Sequence, residues 1–164
     1  MFIRRSTDPS HRAPRGQALA EFAMILPILL ALVGAGVDFA RGYAAQMTLQ
    51  TAARNAAEAT SYDTTVTTQA QALTRARAVV CTEAQRLPGF VAGSGGDVAT
   101  CTQPAVSVTW TSSTTAPGAN QRYPLVTVTV TASLDFDTTV PWPLLPDGSW
   151  TLGTTESFSI IQGR

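Results

Sequence analysis

The clearest pattern in the chain is an uninterrupted apolar stretch near its N-terminus. No residue over 22–37 is charged, and Asp38 and Arg41 close the stretch. A helix over residues 18–40 is about 35 Å long at ~1.5 Å per residue, enough to cross a hydrocarbon core of ~30 Å. The sequence therefore predicts a membrane-spanning helix with Glu21 and Asp38 near its two ends, where a charge costs less than at the bilayer centre.

Helical spacing continues beyond the apolar stretch. Small residues recur at every fourth position and form one ridge, whose members are Gly36, Ala40, Ala44, Thr48, Ala52 and Ala56. Bulky residues, Phe39, Tyr43 and Met47, form a second ridge beside it. Because small residues four apart let two helices approach closely, we expect the small-residue ridge to pack against other helices. The Ala-rich pattern favours helix to about Ala59, and residues 60–63 are expected to end it.

A second helix is expected over residues 66–87. Its apolar positions follow helical spacing, with Arg77 as the one charged interruption. The members of this stripe are Val66, Ala70, Leu73, Val80, Ala84 and Leu87. Pro88 and Gly89 then supply a stop signal. The pattern indicates an amphipathic helix that buries one face.

The C-terminal half of the chain predicts an antiparallel sheet. Apolar residues alternate with Ser and Thr over residues 106–110 and, more regularly, over residues 126–136. Turn-forming residues at 117–120 lie between these runs and indicate a hairpin. A third strand is expected within residues 150–161, although two of its inward-facing positions are polar.

These elements together define a fold class and a domain division. The sequence predicts an α+β protein in which a long N-terminal transmembrane helix continues into a small head. The helix is assigned to residues 17–60 and the head to residues 61–164. The head is expected to hold the second helix and a roughly three-stranded sheet, with residues 141–148 as an ordered connector.

Charge adds an orientation to this picture. Eleven Lys and Arg residues balance eleven Asp and Glu residues, so the net charge of zero offers no field that would attract nucleic acid. Positive charge is concentrated before the apolar stretch, at Arg4, Arg5, Arg12 and Arg15, opposed only by Asp8. This placement favours a cytoplasmic N-terminus and an extracytoplasmic head on a single-pass protein of the cytoplasmic membrane.

The reactive side chains of the head are few. In an exported head, Cys81 and Cys101 are expected to form a structural disulfide, which would stabilise the fold by roughly 3 kcal/mol. The single His of the chain, His11, lies in the N-terminal tail, so the head offers no conventional His-based triad. A metal site would need further Cys or His ligands. We therefore expect neither enzymatic activity nor a cofactor or metal.

Two other interpretations of the apolar stretch remain open at this point. Residues 34–36 offer a small-residue site at which a secretory signal peptide is removed. The stretch is also compatible with a buried helix of a soluble protein, although the upstream Arg residues and the absence of charge over 22–37 favour a retained anchor.

The junction at residue 16 resembles the type IV prepilin signal. Gly16 lies just before the apolar run and Glu21 follows five residues later. Residues 15–60, with Pro27 inside the apolar run, resemble the TadE-like family of minor pilins or pseudopilins of the tight-adherence (Flp, type IVb) pilus and secretion system. Beyond residue 60 the likeness is loose: a helix, a Cys pair and Val/Thr strands, as in a pilin-like fold.

The resemblance implies a processing event and a set of partners. A membrane-embedded prepilin peptidase would cut after Gly16 and remove residues 1–16, making Gln17 the mature N-terminus and Glu21 the fifth mature residue. Other pilin subunits, the membrane assembly platform and the lipid bilayer would be the remaining partners. The rival functions are an anchored extracytoplasmic binding module that is not processed at Gly16 and a secreted protein released near Gly36.

Overall fold

The architecture has two helices packed on one face of an antiparallel sheet. The computed structural model describes residues 15–113, 125–139 and 148–161. Its elements are α1 (Arg15–Tyr62), α2 (Gln69–Ala84), a 3₁₀ turn (Ser94–Gly96), β1 (Ala105–Ser113), β2 (Leu125–Asp137) and β3 (Ser149–Ile161). The predicted α+β fold is confirmed. The hairpin turn expected at 117–120 and most of the connector expected at 141–148 lie outside the described residues.

Helix α1 runs without interruption from the apolar stretch into the head. Its 48 residues correspond to about 72 Å of helix. Pro27 lies inside it and lacks an N–H, so the carbonyl of Ala23 has no helical donor. The helix continues past the expected end near Ala59 because Thr60 and Ser61 are fully buried in the head. Packing of these two residues outweighs their modest helix propensity.

Helix α2, at Gln69–Ala84, is shorter than the helix over residues 66–87 that its apolar stripe predicted. Thr68 caps it by accepting a hydrogen bond from the backbone N–H of Gln71, and the Gln71 side chain accepts one from the backbone N–H of Thr68. This reciprocal pair fixes the start of α2 after residue 68 rather than at Val66.

The buried face of α2 also differs from the expected stripe. It consists of Ala72, Ala76, Val80, Cys81 and Ala84. Ala70 is exposed and Leu73 is half-buried. The buried face of α1 is likewise mostly Ala, at positions 45, 52, 53, 56 and 57. Small side chains on both faces let the two helices pack closely, and the close packing selects the Ala face of α2.

The sheet has the order β1-β2-β3, and both pairs are antiparallel. Every even-numbered residue of β2 from Val126 to Phe136 is buried, as the alternation predicted. The two polar inward positions of β3 are Thr154 and Glu156, and both are half-buried beside α1. The side-chain amide of Gln50 donates to Glu156 at 3.1 Å, so α1 supplies a polar partner for this position.

A disulfide joins α2 to the segment that leads into β1. Cys81 and Cys101 are both buried and are bonded, with their Cα atoms 5.6 Å apart. The predicted pairing is confirmed. The far end of the sheet is closed by Thr138, whose backbone N–H donates to the carbonyl of Gly148 at 2.8 Å.

Candidate functional site

The first half of α1 presents apolar side chains around its whole circumference. All residues from 16 to 33 are exposed, and Leu19 and Met24 each keep 71% of their surface. None of the side chains in the most apolar window is buried within the described structure. A core helix of a soluble protein would bury most of such a surface. Within the described residues, α1 is the single helix long and apolar enough to cross a membrane, and it is compatible with membrane anchoring.

Gly16, Gln17 and Glu21 lie together at the start of this surface. The side-chain amide of Gln17 donates to Glu21 Oε1 at 3.2 Å, so the two side chains share one helix face, one turn apart. A Cβ atom placed on Gly16 would have nothing within 4 Å. Glycine in a helix costs roughly 0.5–1 kcal/mol relative to Ala. Packing within the described structure therefore gives no reason for glycine at this position.

The most N-terminal buried residue of α1 is Asp38, which contacts the head. This residue keeps only 2% of its surface. Its Oδ1 atom accepts hydrogen bonds from the backbone N–H of Thr139, at 3.0 Å, and from the Thr139 hydroxyl. Arg41 Nη1 lies 3.5 Å from the same oxygen. A buried carboxylate needs such partners, so Asp38 ties α1 to the end of β2.

Aromatic packing continues this junction along α1. The Arg41 guanidinium lies over the ring of Phe136, 5.5 Å from its centroid. One turn above Asp38, a Cβ atom on the buried Gly42 would lie 3.5 Å from Trp150 Cζ2, an ordinary packing distance, so α1 and β3 are in contact here. The sequence indicated only that Asp38 and Arg41 close the apolar stretch, because their partners lie about a hundred residues away.

The small-residue ridge divides between two environments. Gly36, Ala40 and Ala44 are exposed. Thr48 is half-buried, and its hydroxyl donates to the carbonyl of Ala44 at 3.0 Å. Ala52 and Ala56 are fully buried in the core of the head, so they are not available to the helices of other subunits. The ridge can contact a helix of another subunit only through its exposed residues Gly36, Ala40 and Ala44.

Two carboxylates elsewhere in the head are engaged in local structure. Asp135 accepts hydrogen bonds from the side chains of Gln103, at 3.1 Å, and Thr151, at 2.9 Å. Hydrogen bonds from the hydroxyl and backbone N–H of Thr65, supported by the charge of Arg75, lower the pKa of Asp63 despite some desolvation. Among the described residues, no group of three or more His, Cys, Asp or Glu side chains could hold a metal ion.

The exposed apolar half of α1 and the α+β head define a class: small proteins that a single N-terminal helix can anchor in a membrane. Residues 16–58 match the family model of TadE-like proteins. The match begins at Gly16 and lies wholly within α1. It confirms the resemblance of this segment to TadE-like proteins that was seen in the sequence. No match was found among curated proteins or among solved structures.

Proposed function

We propose that this protein is a minor pilin or pseudopilin, a structural or assembly subunit of a tight-adherence pilus or a related secretion machine. It acts by helix packing after a prepilin peptidase cleaves the chain following Gly16. The observation that carries the proposal is the arrangement of Gly16 and Glu21 at the start of the exposed apolar helix. That arrangement opens the segment that matches the TadE-like family.

Cleavage would change the charge at the end of the helix. Hydrolysis of the peptide bond between Gly16 and Gln17 releases residues 1–16, with their four Arg side chains, and leaves an α-ammonium on Gln17. Glu21 lies about 6 Å further along the axis on the same face. Because the Gln17 side chain already reaches Glu21, the new ammonium and the carboxylate can neutralise each other within one chain or between neighbours.

The open surroundings of Gly16 favour a recognition role for this residue. Nothing in the described structure approaches a Cβ atom at this position. A peptidase that must bring the scissile bond close to its own catalytic groups would benefit from the absence of a side chain there.

The exposed members of the small-residue ridge supply the packing surface. Gly36, Ala40 and Ala44 form a shallow strip beside Phe39 and Tyr43, which keep 67% and 61% of their surface. A Cβ atom on Gly36 would also have nothing within 4 Å. The α1 helix of another subunit or the membrane platform would fill this strip.

The head would lie outside the cytoplasm. The Arg-rich leader favours retention of the N-terminus on the cytoplasmic side of the inner membrane of a bacterium. The disulfide between Cys81 and Cys101 is of the kind that persists in oxidising compartments. We propose a role in packing rather than catalysis, since the sequence of the head contains no His.

Replacing Gly16→Leu tests the proposal. The variant should remain membrane-bound and keep residues 1–16, whereas the wild type loses them, as read from the intact mass of each protein. Ala18→Leu, on the same exposed stretch of helix, is the matched control and should be processed normally. Because the site at residue 16 is open, a folding defect would not explain a loss of processing. Normal processing of Gly16→Leu would refute the proposal.

A further inference from the structure

We propose that the free edge of β3, with the groove beside it, accepts an extended strand of another polypeptide. The two outer strands of the sheet are β1 and β3, and an outer strand carries a row of backbone N–H and C=O groups directed away from the sheet. The two edges differ in how these groups are occupied.

The pairing of β2 with β3 shows which backbone groups face outward. Three hydroxyl pairs lie in contact across these strands: Thr127–Ser159 at 2.9 Å, Thr129–Ser157 at 2.9 Å and Thr131–Thr155 at 3.0 Å. Such close side-chain pairs are typical of non-hydrogen-bonded positions, whose N–H and C=O groups point away from the partner strand. Gly153 has the same parity, and its carbonyl accepts a hydrogen bond from Gln46 of α1 at 2.9 Å. The backbone groups of Thr155, Ser157 and Ser159 therefore point to the free edge.

The outer edge of β1 is already occupied. The side-chain amide of Gln69, at the start of α2, donates to the carbonyl of Val108 and accepts from the backbone N–H of Trp110, the latter at 2.8 Å. This amide takes the place that a peptide group of an added strand would take. In the described part of the chain, no corresponding contact reaches the backbone of Thr155, Ser157 or Ser159.

A groove lies beside the open part of β3. It has a volume of about 480 Å³ and runs between the exposed face of α1, from Met47 to Glu58, and Glu156 of β3. Among the described residues that line it, Arg54 is the single cation, against the carboxylates of Glu58 and Glu156. An added strand would direct alternate side chains into this groove. The excess of carboxylates favours a Lys or Arg at an inward position and small or hydroxyl side chains at the outward positions.

The direction of α1 excludes an antiparallel pairing of β3 with the β3 strand of a second anchored copy. Helix α1 and β3 run in the same direction, since Gly42 meets Trp150 while Tyr62 meets Phe158 with ring centroids 5.8 Å apart. An antiparallel pair of β3 strands would therefore point two α1 helices in opposite directions, which one membrane forbids. A β3–β1 pair is blocked by Gln69. This step rests on the proposed anchoring, whereas the open edge and the groove do not.

The test uses the full-length protein in lipid nanodiscs and two fluorescent peptides, Thr-Val-Thr-Arg-Thr-Val-Thr and its counterpart with Glu in place of Arg. We expect the Arg peptide to bind more tightly than the Glu peptide, and Glu156→Gln to reduce this preference. Ser157→Pro removes one outward N–H without touching the β2–β3 ladder and should weaken binding by about tenfold. Ser112→Pro removes an outward N–H from β1 and should leave binding unchanged.

Hydrogen exchange on the unmodified protein provides a second readout that does not depend on the folding of any variant. Binding of the Arg peptide should slow exchange at the amides of Thr155, Ser157 and Ser159. Absence of binding, equal binding by Ser157→Pro, or self-association of the wild type that Ser157→Pro abolishes would each overturn the inference. Processing after Gly16, measured by mass on the same samples, reports separately on the proposed function.

Discussion

The two halves of α1 belong to one continuous helix but face different surroundings. Over residues 22–33 the side chains are apolar on every side and exposed, as suits contact with lipid. Above Asp38 one face, built mainly from Ala with Leu49, is buried against α2 and the sheet, while the opposite face carries Arg54 and Glu58. A helix face that contacts lipid needs only to be hydrophobic, whereas a face packed in the protein core also needs side chains of a suitable size.

The contacts at Asp38 and Arg41, where the two halves of α1 meet, attach the head to the helix. Asp38 accepts hydrogen bonds from Thr139 at the end of β2, and Arg41 lies over Phe136. The head is therefore attached to α1 from the edge of the apolar segment onward, not only through the end of the helix at Tyr62. Any movement of α1 in a membrane or an assembly would carry the sheet with it.

The difference between the two halves of α1 predicts that a substitution in the core of the head will have the largest effect on stability. Leu49 is fully buried, so Leu49→Ala should lower the free energy of unfolding of the head by about 2–5 kcal/mol. Leu29→Ala removes the same atoms from the first half of α1, where the side chain keeps 48% of its surface, and should change head stability little. Denaturant unfolding in detergent, followed by Trp fluorescence, measures both. Equal effects of the two changes would remove the distinction between the halves.

A smaller effect is expected at the junction. Asp38→Ala leaves the backbone N–H of Thr139 without its acceptor in a buried setting, and should lower head stability by about 1–3 kcal/mol. Hydrogen exchange at Thr139 should become faster in the variant, while exchange in the middle of β2 changes less. An unchanged exchange rate at Thr139 would mean that this contact does not hold the head to α1.

A minor, pH-dependent effect is expected at the top of α1. The pKa of Asp63 is lowered in the folded protein by hydrogen bonds from Thr65 and by Arg75. Its contribution to stability is therefore fully present above the ordinary value of 3.8 and is lost as the pH falls through the lower folded value. Asp63→Asn removes this acid-dependent contribution, so the variant should lose less stability than the wild type as the pH falls below 3.8. Identical unfolding curves for both proteins at every pH would contradict this.

The least effect on the head is expected from Glu21→Ala, at the far end of α1. The side chain is exposed and its described partner is Gln17, so membrane insertion and head stability should stay unchanged. Assembly should nevertheless weaken, because the ammonium of the mature Gln17 would lose its carboxylate. Co-expression with the wild type and comparison of the two in purified assemblies measures this. Equal incorporation would argue against a role for the pair.

Local pattern predicted the elements with strong periodicity, and missed the contacts that join distant parts of the chain. The apolar run of α1 and the alternation of β2 each specify their structure without help from elsewhere. The start of α2 depends on the reciprocal contact of Thr68 with Gln71, which outweighs the apolar signal at Val66. Its buried face depends on the Ala face of α1 that it meets.

The residues of the candidate site likewise fall into those that local sequence predicts and those that only the fold brings together. Gly16 and Glu21 are recognisable from their spacing and from the apolar run between them and Asp38. By contrast, the tie from Asp38 to Thr139 and the clamp of Gln69 on β1 join residues that no local pattern relates. The sequence also did not show which residues of the small-residue ridge are exposed and which are buried, since the burial of Ala52 and Ala56 depends on where the sheet lies.

The intact mass of the native protein, isolated from membranes of the organism that makes it, bears most directly on the proposed function. A membrane-bound product that begins at Gln17 is the expected result. A membrane form that still carries residues 1–16, or a soluble form that begins near residue 36, would contradict it.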